Sequence, residues 1–251
     1  MINWFRKAGR AREATVFPPG YVDYHSHLLP GLDDGAADAD TALELMALLV
    51  GVGIRHFVLT PHVMEGMWPN TPERIQNRLA EFRPLVRERF GDTVTIEAAA
   101  EYMIDEGFLR MLGDQKLLTV RDNVVLVELS YMAPPLHLFA ALARLQVAGY
   151  QPLLAHPERY FFYHNEADAF HDLKNAGCLF QLNLLSLSNY YGKDVRLCAE
   201  KLLKLGLYDA TGTDLHHDRH AQQLTKMVST GAFGGQVQKL MEGQVYDHGP
   251  A

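Results

Sequence analysis

Seven short apolar runs succeed one another along the chain, most of them followed by a stretch with helical spacing. They are "GYVDYH" (20–25), "RHFVLT" (55–60), "VTIEAAA" (94–100), "NVVLVELS" (123–130), "QPLLAH" (151–156), "CLFQLN" (178–183) and "GLYDATG" (206–212). Helical spacing fills Ala37 to Val52, "TPERIQNRLAEFRPLVRERF" (71–90) and "PLHLFAALARLQVAGY" (135–150). Thr71 before Pro72 and Glu73 is a helix start signal, with a side-chain cap and proline at the first helical position. Gly149 and Gly177 stop helices just before the next apolar run. Strands that alternate with helices form parallel βαβ units. Seven of them in 251 residues predict an α/β fold closed, or nearly closed, into a barrel. No repeat, low-complexity tract or Pro/Gly/Ser linker divides the chain, so one domain is expected over 21–245, after a flexible leader over 1–20.

Composition removes several classes of function. The net charge of −7 and the lack of a basic stripe argue against nucleic acid as a partner. No stretch approaches the ~20 apolar residues of a membrane span, and the basic leader "MINWFRKAGRAREATVF" lacks the apolar run of a secretory signal. A surface contact with lipid through Trp4 and Phe5 is the weaker reading of that leader. Two cysteines, Cys178 and Cys198, fit a reducing cytoplasm better than a disulfide scaffold. Neither opens a Cys-x5-Arg phosphatase loop, since the sixth residue after each is Leu184 or Lys204. Oligomeric state stays open.

The twelve histidines matter by position. "YHSHLLPGLDDG" ends the first run with His25 and His27 and brings Asp34 soon after. "TPH" gives His62, "AAAEYM" Glu101, "VELS" Glu128, "AHPER" His156 with Arg159, and "GTDLHH" Asp214 and His216. Six of the seven runs thus end in an imidazole or a carboxylate, where the loops of a (β/α) barrel gather reacting groups. Residues i and i+2 of a strand point the same way, so "HSH" and "DLH" each aim two donors at one cavity. "HxH" or "HPER" alone would be an ordinary structural feature. Glu128 is more telling, because a carboxylate buried in an apolar strand costs several kcal/mol unless paired or metal-bound. His56, His137, His164, His171, His220 and His248 read as surface or helix residues, and His217 is undecided.

In these motifs the chain resembles the PHP (polymerase and histidinol phosphatase) superfamily. Within it, "DYHSHLLPGLDDG", "TPH", "VELS", "AHPERY" and "GTDLHH" are similar in order and spacing to the manganese-dependent bacterial protein-tyrosine phosphatases of capsule and exopolysaccharide loci. The likeness runs from about Tyr21 to His217. It implies a distorted (β/α)7 barrel and three divalent ions, with manganese as the precedent and iron or zinc suited to the same donors. One ion would take His25, His27, Glu128 and Asp214, a second Asp34, His62 and His216, and a third Glu101, His156 and a shared oxygen of Glu128.

The implied substrate is phosphotyrosine on the tail of a bacterial tyrosine autokinase that controls polysaccharide export. Arg159 would grip the phosphate, and Asp214 or His216 would protonate the leaving group. Tyr102, Tyr131, Tyr160 and Phe161 are candidates to hold the phenyl ring, with ordinary packing as the alternative. Two departures stand out: "QLNLLSLSNYYG" replaces the family's Ser/Gly-rich stretch, and Arg219 is the nearest candidate for a downstream arginine. Histidinol-phosphate phosphatase is the same-fold alternative, and a degenerate PHP binding module is the non-enzymatic one.

Overall fold

The structure, a computed structural model, describes residues 17–114, 116–166 and 168–245. Its first strand is only two residues long, β1 (Val22–Asp23), followed by helix α1 (Ala39–Gly51). The second and third apolar runs are each followed, past a break, by a further short strand. The second run gives β2 (His56–Leu59), with β3 (His62–Val63) beyond it, and helix α2 (Pro72–Phe90) comes next; the third run gives β4 (Thr95–Ala98), with β5 (Glu101–Met103) beyond it. Then come α3 (Glu106–Asp114), β6 (Val124–Glu128), α4 (Leu138–Val147), β7 (Gln151–Ala155), α5 (Ala169–Asn175), β8 (Leu179–Asn183) and α6 (Lys193–Lys204). Strand β9 (Ala210–Gly212) and helices α7 (Asp218–Ser229) and α8 (Gly235–Glu242) complete the order.

All strand pairs are parallel and fall in two sheets, β1-β2-β4 and β3-β5-β6-β7-β8-β9. Pro61 explains the break after the second run, because it has no N–H to give a ladder. The neighbouring run breaks opposite it, at Ala99–Ala100. The helices follow their signals: Thr71 caps α2 by accepting from the Arg74 N–H, and Ile75, Leu79, Phe82 and Val86 bury one face. Strand β6 is buried throughout and alternates its faces. Val125 and Val127 join the core under the helices, while Val124 and Leu126 join a second, smaller core on the other face of the sheet.

The free edges of the two sheets meet beyond the ends of β1 and β9. The Asp214 N–H donates to the His25 carbonyl at 2.8 Å, and that of His27 to Leu215 at 2.9 Å. Asp23 accepts from the backbone N–H and the hydroxyl of Thr213. Gln244, 2 % exposed, fills the lower part of this seam: it accepts from the Thr211 N–H at 2.6 Å and donates to the Thr211 carbonyl at 2.9 Å. Beside this seam Phe17 lies in the core, its ring 4.9 Å from Tyr21, whose hydroxyl meets that of Thr211, and 6.1 Å from Phe233. Residues 1–16 of the expected leader, with Trp4 and Phe5, lie outside the described residues, as does His248.

Replacing Gln244 by alanine should expose how much the seam depends on it. Leaving the Thr211 groups unpaired should cost about 2 kcal/mol, or about 4–8 °C in Tm for a domain of this size. An unchanged thermal transition would remove Gln244 from this role.

Candidate metal centre

Glu101 opens β5 at the middle of the cluster. It is fully buried, and neither of its oxygens has a hydrogen-bond partner. Around Oε2 lie His25 Nε2 at 3.2 Å, His27 Nε2 at 3.3 Å and His62 Nδ1 at 3.1 Å. His156 Nε2 is 3.2 Å from Oε1. Asp214 Oδ1 stands 3.3 Å from both His25 Nε2 and His27 Nε2, which are themselves 3.1 Å apart. Donors bound to one ion at about 2.0–2.2 Å must lie roughly 3–3.5 Å from each other. The four distances from His25 and His27 to Glu101 and Asp214, and the one between the two imidazoles, fall in that range, and two facing imidazole nitrogens make little sense otherwise. Asp34 Oδ1 completes a second group, 3.6 Å from His62 Nε2 and from His216 Nε2. Glu128 Oε1 is 2.9 Å from His62 Nδ1.

All nine expected donors therefore converge, but their grouping differs from the one the resemblance implied. Glu101, and not Glu128, sits with His25 and His27, while Asp214 groups with His25 and His156, and Glu128 with His62 and Glu101. Register is the reason. Glu101 is level with Leu126 in the ladder and Glu128 is level with Met103, two residues further up, a rise of about 6.6 Å.

Electrostatics point the same way. Burial works against charge on His25, yet Glu101 and Asp214 outweigh it and lift the imidazole to about 9. Burial likewise opposes ionisation of Glu101 and Asp214; histidines led by His25 hold both well below the usual carboxylate range. Glu128 is raised by burial and by Glu101. His156 falls to about 4 through burial and the Arg159 charge, and His216 to about 4 through burial and His27. A cluster that must borrow protons to balance buried carboxylates is suited to divalent cations. The donor set, mixed imidazole and carboxylate, fits them chemically.

Several residues that hold the donors escaped the sequence reading. Asp33 binds His27 Nδ1 at 2.7 Å and accepts from the backbone of Gly35 and His62. Gln181 Oε1 is 3.0 Å from His25 Nδ1. Such partners fix which nitrogen faces the centre. Gly212 makes room for the second pair, since a Cβ there would come within 1.7 Å of Gln181 Nε2. Asn183 donates to Asp214 Oδ2 at 2.8 Å. "QLN" is a polar pair two apart in an apolar strand, the signal that singled out Glu128, and it would have marked Gln181 and Asn183. His156 (φ 36°) and Asp214 (φ 49°) hold left-handed backbone, a strain that side chains other than glycine accept where the surroundings impose it. His220, expected as an ordinary helix residue, is in α7 but buried, and its Nδ1 accepts from the His216 N–H at 3.3 Å.

Arg159 donates to Asp214 Oδ2 at 2.6 Å and does not pair with Glu158 or Glu166. Buried Glu158 instead accepts from the Asn183 N–H and the Tyr208 hydroxyl. Tyr131 reaches the cluster, its ring stacked 5.9 Å from that of His156. Tyr102 does not. It follows Glu101 in the strand and so points to the opposite face, where its hydroxyl accepts from the Leu118 N–H. Tyr160 is buried behind His156, with its hydroxyl tied to the backbone of Leu129 and Ala155. Phe161 packs on His164, Arg219 is exposed in the first turn of α7, and exposed His217 precedes that helix without a side-chain capping bond.

Residues 21–231 match the family described as capsular polysaccharide synthesis, CpsB/CapC. Tyrosine-protein phosphatase YwqE of Bacillus subtilis is 27% identical over 198 residues, 78% of this chain and 77% of that one. Tyrosine-protein phosphatase CpsB of Streptococcus pneumoniae is 25% identical over 202 residues, 78% and 83% of the two chains. A solved structure from work on YwqE and CpsB, described there as metal-dependent tyrosine phosphatases, superposes with a TM-score of 0.73 at 24% identity. It covers 89% of this chain and 95% of its own.

The geometry orders the carboxylates by their hold on metal. Glu101→Gln should lower bound metal in the purified protein more than Glu128→Gln, because Glu101 faces four imidazoles and Glu128 one. Elemental analysis of the two variants decides this, and equal or reversed losses would contradict the arrangement.

Proposed function

The chain belongs to the CpsB/CapC family of capsular polysaccharide synthesis, and from that premise we propose that it is a metal-dependent protein-tyrosine phosphatase. Its substrate is phosphotyrosine on the tail of a bacterial tyrosine autokinase. The observation that carries this reading is the group of buried imidazoles and carboxylates at the strand ends with Arg159 beside it. The seven strand runs and the β1–β9 seam support a distorted (β/α)7 barrel of the PHP type.

Three divalent ions, manganese in this reading, would be held by His25, His27, Asp34, His62, Glu101, Glu128, His156, Asp214 and His216. When bound, such ions supply a water nucleophile near neutral pH and neutralise charge on phosphoryl oxygens. The chain's own groups do the rest. Arg159 grips the phosphoryl group through a planar fork that lysine lacks. Asp214 orients Arg159 and, like His216, is held in its unprotonated form near neutral pH, so the proton that the tyrosine oxygen takes up comes from solvent. Asp33 and Gln181 keep His27 and His25 turned inward.

A protein substrate is favoured over a small one by the rim of the site. Met67 (59 % exposed), Met132 (89 %) and Leu136 (97 %) project from loops after β3 and β6, and Tyr131 and Tyr190 are also exposed. These apolar side chains suit a polypeptide passing over the mouth. Among the described residues no helix is long and apolar enough to cross a membrane. Two free thiols support a reducing cytoplasm as the compartment. Burial pushes both up to about 12, which opposes a thiolate mechanism.

Three results test the proposal together. Manganese-loaded protein should hydrolyse a phosphotyrosine peptide far faster than histidinol phosphate, and a chelator should abolish the activity until manganese is restored. Cys178→Ser and Cys198→Ser should leave turnover intact. Arg159→Lys should lose about ten- to a hundredfold in kcat/KM with unchanged metal content, the scale of a hydrogen bond to a charged group. Full activity after metal removal, or a preference for histidinol phosphate, would overturn the reading.

A further inference from the structure

Arg159 is walled in as well as hydrogen-bonded. Its guanidinium carbon lies 4.3 Å from the ring centroid of Tyr191 and 5.0 Å from that of Tyr131. Both are inside the ~6 Å reach of a cation–π contact. The two walls are not equivalent. Tyr131 belongs to the loop after β6 and is 44 % exposed. Tyr191 is more enclosed and is tied down twice. Its hydroxyl accepts from Asn183 Nδ2 at 3.3 Å, and its ring meets that of His220 at 6.0 Å. The same Asn183 nitrogen reaches Asp214 Oδ2, the atom that accepts from Arg159. Tyr191, Asn183, Asp214 and Arg159 thus form one closed circuit.

Tyr191 comes from "LLSLSNYYG", the segment in which this chain departs from the Ser/Gly-rich pattern noted above. A flexible guanidinium loses freedom when it grips an anion, and one fixed beforehand does not. We propose that Tyr191 is a positioning residue: its ring face fixes the Arg159 guanidinium against Asp214, ready for a phosphoryl group. This deepens the phosphatase reading and rests on it. The role is separate from holding metal, because Tyr191 touches Arg159 and Asn183 and is not among the donors.

The test uses the manganese-loaded full chain and compares Tyr191→Leu, Tyr191→Phe, Arg159→Lys and the Tyr191→Leu/Arg159→Lys double variant. Loss of the ring should raise KM for a phosphotyrosine peptide about 5- to 30-fold, the scale of a desolvated cation–π contact, with a smaller change in kcat. Binding of inorganic phosphate, measured by calorimetry, should weaken by a similar factor, and metal content should not change. Tyr191→Phe keeps the ring face and should recover most of the loss. In the Arg159→Lys background the leucine change should add less than about twofold, since both variants break one interaction. Tyr191→Met carries the same expectations should the leucine variant fail to fold.

Phosphate binding equal to wild type in the ring-less variant would overturn the proposal, as would full additivity in the double variant. Absence of phosphotyrosine hydrolysis by the wild-type chain would instead sink the phosphatase reading, while the phosphate titration would still report on the clamp.

Discussion

A carboxylate with no hydrogen bond, buried among four imidazoles, is the constraint on which the rest of the site depends. Glu101 would cost several kcal/mol in that position without compensation, and the surrounding backbone is arranged to supply it. Three different strands, β1, β3 and β7, bring four imidazole nitrogens to within 3.1–3.3 Å of its oxygens. No local segment could do this, because a single strand offers at most two donors on one side. Closing the sheets so that all strand ends face one point is what makes the cluster possible.

That closure is itself maintained by polar groups. Between β1 and β9 the ordinary ladder gives way to a few backbone bonds, two Thr213 bonds to Asp23 and the side chain of Gln244. The seam is also where His25, His27 and Asp214 stand. The left-handed backbone of His156 and Asp214 belongs to the same design. In both cases the chain turns sharply at the strand end, which leaves the side chain over the centre. Stability is given up locally, and the surrounding packing over-determines the conformation.

Around the donors lies a layer of residues that orient without binding. Asp33, Gln181 and Asn183 each hold one donor, and the aromatic walls of Arg159 extend that layer towards the mouth. Exposure rises outward from this layer, from the buried Glu101 through the half-open Asp34 to Met132 and Leu136 in the open. A site of this grading joins a rigid chemical centre to an adaptable surface, as expected of an enzyme acting on a polypeptide.

Much of this was legible in the residues alone. Apolar runs with helices between them determine a parallel α/β architecture, because the two periodicities admit little else. Donors repeated at the ends of those runs mark a metal centre, since chance would not respect strand ends. Three things were decided only in three dimensions. The breaks at Pro61 and Ala99–Ala100 end the expected strands and start a second sheet just beyond them, and proline's missing N–H has that consequence only once a neighbouring strand is present. The grouping of Glu101 and Glu128 depends on register, which is a relation between strands and is written in neither. Which tyrosines stand beside the site was decided for the same kind of reason. Tyr102 is adjacent to a donor in sequence, but strand alternation turns it away, whereas Tyr191 is 32 residues from Arg159 and meets it only because the loops after β7 and β8 converge.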